Sequence, residues 1–334
     1  MAIPTNTRTS YNVADGDLRA IGMREDLSNV IYDISPTETP FMSAAGRGSC
    51  DNTLFEWMTD VLDNAAANRQ IEGDDASADL AVEVSRLGNY TQISRKVVQT
   101  SGTAQKVDFA GRKSSHAYQL AKASKELKRD MESMLLDNTA KSAGKGAGGS
   151  DTAAARASGG ICTWLGTNAD FGSGGSAGGA GAAATDGTRR TLTEAICKTV
   201  IKECFDSGGE PDLILCGSSQ KQVISGFASS SSAGYPVSQI HNTANGQSPA
   251  TMVSAIDVYV SDFGTFRISP DRFIRSSGRD VFFLDMDFWS VNYLRPFGET
   301  QLARTGDSES TMLISEYTLV AKNEKSSGWA ADIT

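Results

Sequence analysis

The chain has 334 residues, 39% of them hydrophobic, with 33 glycines and a formal net charge of −9. That length supports one large or two ordinary domains, and the acidic balance argues against wrapping nucleic acid directly, because neutralising phosphates takes a surplus of Lys and Arg. No window approaches eighteen consecutive apolar residues, and Met1–Ala2–Ile3–Pro4–Thr5 has neither a basic nor an apolar leader region, so neither a helical membrane span nor a signal peptide is expected.

Residues 1–50 hold little periodicity beyond one short helical signal at Asp15–Asn29. In IYDISPTETPF, Pro36 and Pro40 enforce extended backbone, as in an arm lying on something else. Thr53–Leu62 alternates as a strand, with Phe55, Trp57, Thr59 and Val61 on one face, and a second run starts at Asn89, with Thr91, Ile93, Val97 and Gln99 on one side. The two are expected to pair as a long hairpin with a polar tip at 63–88. An isolated hairpin is marginal in water and its edges invite pairing with another chain, so it should lie against a neighbour. Charge is distributed unevenly around it: 51–85 holds nine acidic residues and one basic, and 86–141 eleven basic and five acidic. An acidic limb beside a basic one can pair between copies.

Gly111–Lys141 is the strongest helix signal. Ala117, Leu120, Ser124, Leu127, Met131, Met134 and Leu135 form a stripe, charged residues including Glu132 fill the other side, and Ser114 or Ser115 is the N-cap. Such a helix would span about 40 Å. The glycine-rich stretch 144–190 reads as a flexible surface insertion that only Ile161, Trp164 and Leu165 could anchor. A helix from Leu192 to a glycine stop at Gly208, a short strand at PDLILC and a helix at QKQVISGFA suggest an α/β layer. A polar loop at Ser229–Gln247, a hairpin turning at Asp262–Phe263–Gly264, and strands at Val281–Asp285, Trp289–Arg295 and Met312–Asn323 close the chain. The fold class is α+β, with no repeat and no clean linker.

Catalytic sets are missing. The two histidines, His116 at a helix surface and His241 in a polar loop, have no nucleophile or carboxylate partner in pattern. Five cysteines, Cys50, Cys162, Cys197, Cys204 and Cys216, are odd in number and lack CxxC, which reads as reduced, intracellular thiols. Cys197 and Cys204 share a helix face but have no further zinc ligands nearby. Gly144–Gly149 matches GxGxxG after a helix instead of a strand, and the Asp-Phe-Gly triplet lacks the other kinase motifs, so a turn explains it better. No catalytic, cofactor or metal site is expected.

The segments NVIYDISPTETPF, FEWMTDVL with EGDDA, NYTQISRKVVQTSGT, KELKRDMESMLLDN, VYVSDFGTFRISPDRF and LARTGDSESTMLISEYTLVAKNE, in that order, resemble the tailed-bacteriophage major head proteins with the Hong Kong 97 capsid fold. The resemblance spans nearly the whole chain apart from the glycine-rich stretch. It implies an N-terminal arm at 1–50, an extended hairpin loop at 51–101, a peripheral domain with the spine helix at 102–143, the insertion at 144–190, an axial domain at 191–255, and return strands at 256–334. It further implies hexamers and pentamers of an icosahedral shell around double-stranded DNA, which would touch the inner surface only non-specifically. Portal, separate scaffolding and cementing proteins would be the partners, with no membrane; the protein would belong to the virion after synthesis in the bacterial cytoplasm. Contacts between copies are expected at Phe55, Trp57 and Ile93 as hairpin anchors, with Arg112, Lys113, Lys122 and Lys125 meeting Glu72, Asp74 and Asp75 of a neighbour. Two other readings stay open: an encapsulin-like cellular compartment, and a soluble nucleotide-binding enzyme built on the α/β layer near Leu213.

Overall fold

The computed structural model describes residues 36–62, 65, 67–70, 72, 73, 75, 84–109, 111, 113–145, 154–227 and 257–334. The helix signal at 15–29, Asp74, Arg112, His241 and the loop at 229–247 lie outside them. The described chain opens with α1 (Pro40–Ala44), β1 (Gly46–Ser49) and the pair β2 (Leu54–Thr59) and β3 (Ser85–Tyr90). β4 (Gln92–Ser101), α2 (Gly102–Lys106) and α3 (Ser115–Leu135) follow, then β5 (Ala169–Asp170), α4 (Glu194–Asp206), β6 (Leu213–Cys216) and α5 (Ser218–Phe227). The chain ends with β7 (Val258–Ser261), β8 (Gly264–Pro270), α6 (Arg275–Gly278), β9 (Val281–Leu284), β10 (Trp289–Gln301), β11 (Ser308–Ala321) and β12 (Gly328–Ala330).

Two sheets carry the molecule. A four-stranded sheet runs β1-β10-β11-β4 and a six-stranded one β5-β12-β9-β6-β8-β7; β2 and β3 form a separate ribbon. β6 and β9 are buried along their whole length, and their alternation sorts side chains between two cores. Leu213, Leu215, Phe282 and Leu284 face the larger, which also holds the α3 stripe and β11; Ile214, Cys216, Val281 and Phe283 face the smaller, covered by α4 and α5. A strand covered on both faces has no polar side to show, which is why LILC and VFFL are continuous apolar runs. The larger core runs from the spine helix α3 to the six-stranded sheet, so the parts interleave. Burial pushes the thiols of Cys197, Cys204 and Cys216 up to about 12, leaving them inert core groups.

Four expectations need correction. First, the hairpin partner of β2 is Ser85–Tyr90, with Thr59 opposite Ser85, and the run from Gln92 instead pairs with β11 as an edge of the four-stranded sheet. Thr91 divides the two: its side chain hydrogen-bonds Glu316 at 2.9 Å, and the chain changes sheets there. Second, α3 is 21 residues long, about 31 Å, capped by Ser114, and its buried face is turned from the expected stripe. Ala117 is exposed, while Ala123 and Glu132 are buried. His116, in the first turn, is half-buried, joining Thr100 at 3.1 Å to Thr311 at 2.9 Å.

Third, the described part of the glycine-rich stretch is packed. Ile161, Trp164 and Leu165 do anchor it, at 0–1% exposure, together with Cys162 and Ala184. Glycine is there for close approach: a Cβ at Gly160 would collide with Asp137 O, and one at Gly172 with Thr188 O. Fourth, β10 continues past Arg295 through Pro296 to Gln301, its register shifting between Arg295 and Gly298. The irregularity absorbs the proline's missing donor.

Candidate assembly surface

Residues 54–62 and 84–90 leave the body as a ribbon whose root is fixed and whose outer part is free. At the root, Asn89 is fully buried. Its amide donates to Ser158 Oγ at 3.1 Å, Gly159 O at 3.2 Å and Leu319 O at 2.8 Å, while its oxygen accepts from Gly159 N at 2.8 Å. Lys141 Nζ donates to Gly88 O at 2.8 Å and sits 5.3 Å over the Trp164 ring. Trp57 lies tilted against that same indole, ring centres 5.1 Å apart, and Phe55 lies 6.2 Å from Trp57. Glu316, 3% exposed, completes the root: it accepts from Thr91, from Arg156 at 2.5 Å and from Arg295 at 2.8 Å. Arg156, Ser158, Gly159 and Trp164 all belong to the glycine-rich stretch, which therefore buttresses the ribbon. Sequence gave no signal for that role beyond the lone tryptophan.

Beyond the root, the described residues cover the ribbon only in part. Met58 is 70% exposed and Leu62 93%, and Val61 and Val84 are more than half exposed. Large apolar groups held out in this way on one limb mark a contact surface. Phe55 and Trp57, half-buried, are instead occupied at the root. Ile93 lies on β4, on the outward face it shares with Val97, both about half exposed. Glu72 and Asp75 are exposed beyond the ribbon.

The charged side of α3 is flanked by two grooves. One, about 450 Å³, runs between α3 and the open edge strand β4, with Lys96, Gln99, Gln119 and Lys122 among its lining. The other, about 220 Å³, lies between Thr37 and α3 and includes Lys122, Lys125 and Arg129. Part of the charge is satisfied within the chain: Lys96 pairs with Asp130 at 2.8 Å, Lys122 with Glu126 at 3.9 Å, and Arg86 with Glu56 across the ribbon at 3.3 Å. Lys113 and Lys125 are exposed. At the end of β6, where an α/β enzyme would place a ligand, Gly217 packs against Gly278 and Gln220. Among the described residues, no three His, Cys, Asp or Glu side chains are grouped to hold a metal.

A projecting ribbon, a long helix beneath an edge-exposed sheet, and a second α/β layer define the Hong Kong 97 type of capsid subunit. Solved structures agree across nearly the full length. The capsid of Cyanophage A-1(L) superposes with a TM-score of 0.66 at 13% identity, covering 93% of this chain and 97% of that one. A gene transfer agent capsid superposes at 0.58 and 10% identity, covering 96% and 98%, and Gordonia phage Cozz at 0.56 and 9%, covering 96% of each chain. The family model for the SU10 major capsid protein matches residues 3–334, and the chain belongs to that family. It is a major capsid protein, a virion component that works as many copies of itself, and the encapsulin-like reading is set aside. The major capsid protein of Escherichia phage Phieco32 is 39% identical over 121 residues, 36% of this chain; the match spans about a third of that relative's length.

Proposed function

We propose that copies of this chain close as hexamers and pentamers into an icosahedral head around double-stranded DNA, and that the ribbon of each copy seats on the α3 and β4 grooves of the next. What carries the reading is the run of apolar residues Met58, Val61, Leu62 and Val84, each left more than half exposed by its own chain. Its acidic neighbours Glu72, Asp74 and Asp75 would meet Arg112, Lys113, Lys122 and Lys125, with Ile93 flanking, while Phe55 and Trp57 hold the limb in direction. Closed symmetry limits the product to finite particles. The segments 1–50, 51–101, 102–143, 144–190, 191–255 and 256–334 then act as arm, extended loop, spine, buttress, axial domain and return strands. The subunit has no catalytic part. It is made in the bacterial cytoplasm, with portal, scaffolding and cementing proteins as partners and DNA held without sequence preference, in keeping with a chain charge of −9.

Charge reversal tests the seat. Exposed ion pairs contribute about 0–1 kcal/mol each, so turning two attractions into repulsions costs about 1–2 kcal/mol per contact, roughly tenfold in its equilibrium constant. Lys122→Glu with Lys125→Glu should leave the subunit folded by circular dichroism but cut particle yield steeply at low salt. Raising ionic strength, or reversing Glu72 and Asp75 to Lys in the same chain, should restore part of it. Undiminished particle yield from the double variant at low salt would remove Lys122 and Lys125 from the contact.

A further inference from the structure

Glu132 is fully buried on α3 against α1. Its two carboxyl oxygens accept the amides of Phe41 at 2.7 Å and Met42 at 2.9 Å, supplying from 91 residues away the cap that the Thr39 side chain does not provide. Phe41, also fully buried, packs edge-on against Trp289 at 6.3 Å, so this is where the arm is seated before β1 enters the four-stranded sheet. Against Glu132 lies the carboxyl of Asp271, itself 2% exposed. Asp271 Oδ1 accepts from Phe273 N at 2.8 Å, and Oδ2 is buried with no hydrogen-bond partner among the described residues.

Two ionised carboxylates in contact and out of water would repel, and the backbone amides they accept offset only part of their lost hydration. One proton between them removes the repulsion and gives Asp271 Oδ2 its missing donor. The surrounding charges leave that arrangement in place. Arg129, one turn earlier on α3, holds its guanidinium 5.5 Å over the Phe273 ring; Arg272 and Glu38 are exposed, and α1 carries no charged residue. Burial, and after it the neighbouring Asp271 charge, push Glu132 up to about 8; burial raises Asp271 as well.

We propose that a single proton shared by Glu132 and Asp271 latches the N-terminal arm to the spine helix, so that the seat at Pro40–Ala44 opens more readily as the medium turns alkaline. The proposal is independent of which surfaces join copies in the shell. The closed seat holds one proton more than the open one, whose carboxyls face water at ordinary values near 4. The latch is therefore complete below the ordinary carboxylate range. Through the window from there to about 8 the opening equilibrium rises about tenfold per pH unit, and above about 8 it levels off.

Hydrogen exchange of the full-length protein between pH 6 and 9.5, followed by mass spectrometry and corrected for intrinsic exchange rates, reads the opening directly at Phe41 and Met42. Protection there should fall about tenfold per unit up to about pH 8 and then plateau, while α4 amides hold constant. Asp271→Asn puts a permanent amide donor where the proton sits and should flatten the slope. Glu132→Gln also removes the titrating proton and should flatten it, at lower protection, because one of the two oxygens that accept the Phe41 and Met42 amides is lost; if one fails to fold, the other decides. Wild-type protection that ignores pH, or a slope that persists in a folded amide variant, would overturn the latch.

Discussion

Replacing residues 60–84 with an Asn-Gly turn should abolish particles while leaving a folded subunit. Thr59 and Ser85 face each other across the ribbon, so a two-residue turn closes it without altering register. The deletion takes away Val61, Leu62 and Val84, all more than half exposed within the subunit. Fully covering a side chain of that size contributes about 1.5–3 kcal/mol, so each contact would lose about 4 kcal/mol or more, roughly a thousandfold in its equilibrium constant. A shell makes several such contacts per subunit, and the losses multiply. Since Val61, Leu62 and Val84 lie outside both cores, the unfolding temperature should stay within about 2 °C of wild type, because surface changes are worth about 0.5 kcal/mol or less. Size-exclusion chromatography with light scattering reads both halves; particles at wild-type yield would show that the tip is not a contact.

Trp164→Ala should have the opposite signature, a subunit weakened before it ever meets a neighbour. The indole is 1% exposed, lies 5.1 Å from Trp57 and beneath Lys141, and donates from Nε1 to Gly159 O at 3.3 Å. Truncating a buried tryptophan costs about 3–5 kcal/mol, measurable as a lower denaturation midpoint with an unchanged slope. The same change removes the wall on which the ribbon leans, so protease access to residues 54–62 should rise under conditions where the rest of the chain stays folded. Trp164→Phe, which keeps a ring there, should recover most of both. A ribbon equally protected in Trp164→Ala would mean that Asn89 and Glu316 hold the root unaided.

Most of the elements that obey one period were legible in sequence. The α4 stripe, its glycine stop at Gly208 with φ of 87°, the apolar runs of β6 and β9, and the two-residue turn at Asp262–Phe263 stand where the pattern put them. What escaped depends on partners far along the chain. Glu132 looks like one more surface charge until α1 and Asp271 close over it. Asn89 and Glu316 are polar residues within strands until residues 156–159 reach them. The glycines of 154–190 read as slack, because composition cannot tell a glycine that moves from one that lets two backbones touch. At Thr91 a single apolar and polar alternation spans two sheets, and periodicity does not record which strand sits alongside.

In the proposed assembly each subunit extends a limb whose apolar surface a neighbouring copy covers. Cryo-electron microscopy of particles recovered from producing cells is the deciding measurement. The expected map is a closed icosahedral shell in which Met58, Leu62 and Val84 of every subunit rest in the α3 and β4 grooves of the adjacent one. A map with the ribbon folded back over its own four-stranded sheet, those side chains covered without a neighbour, would contradict the claim.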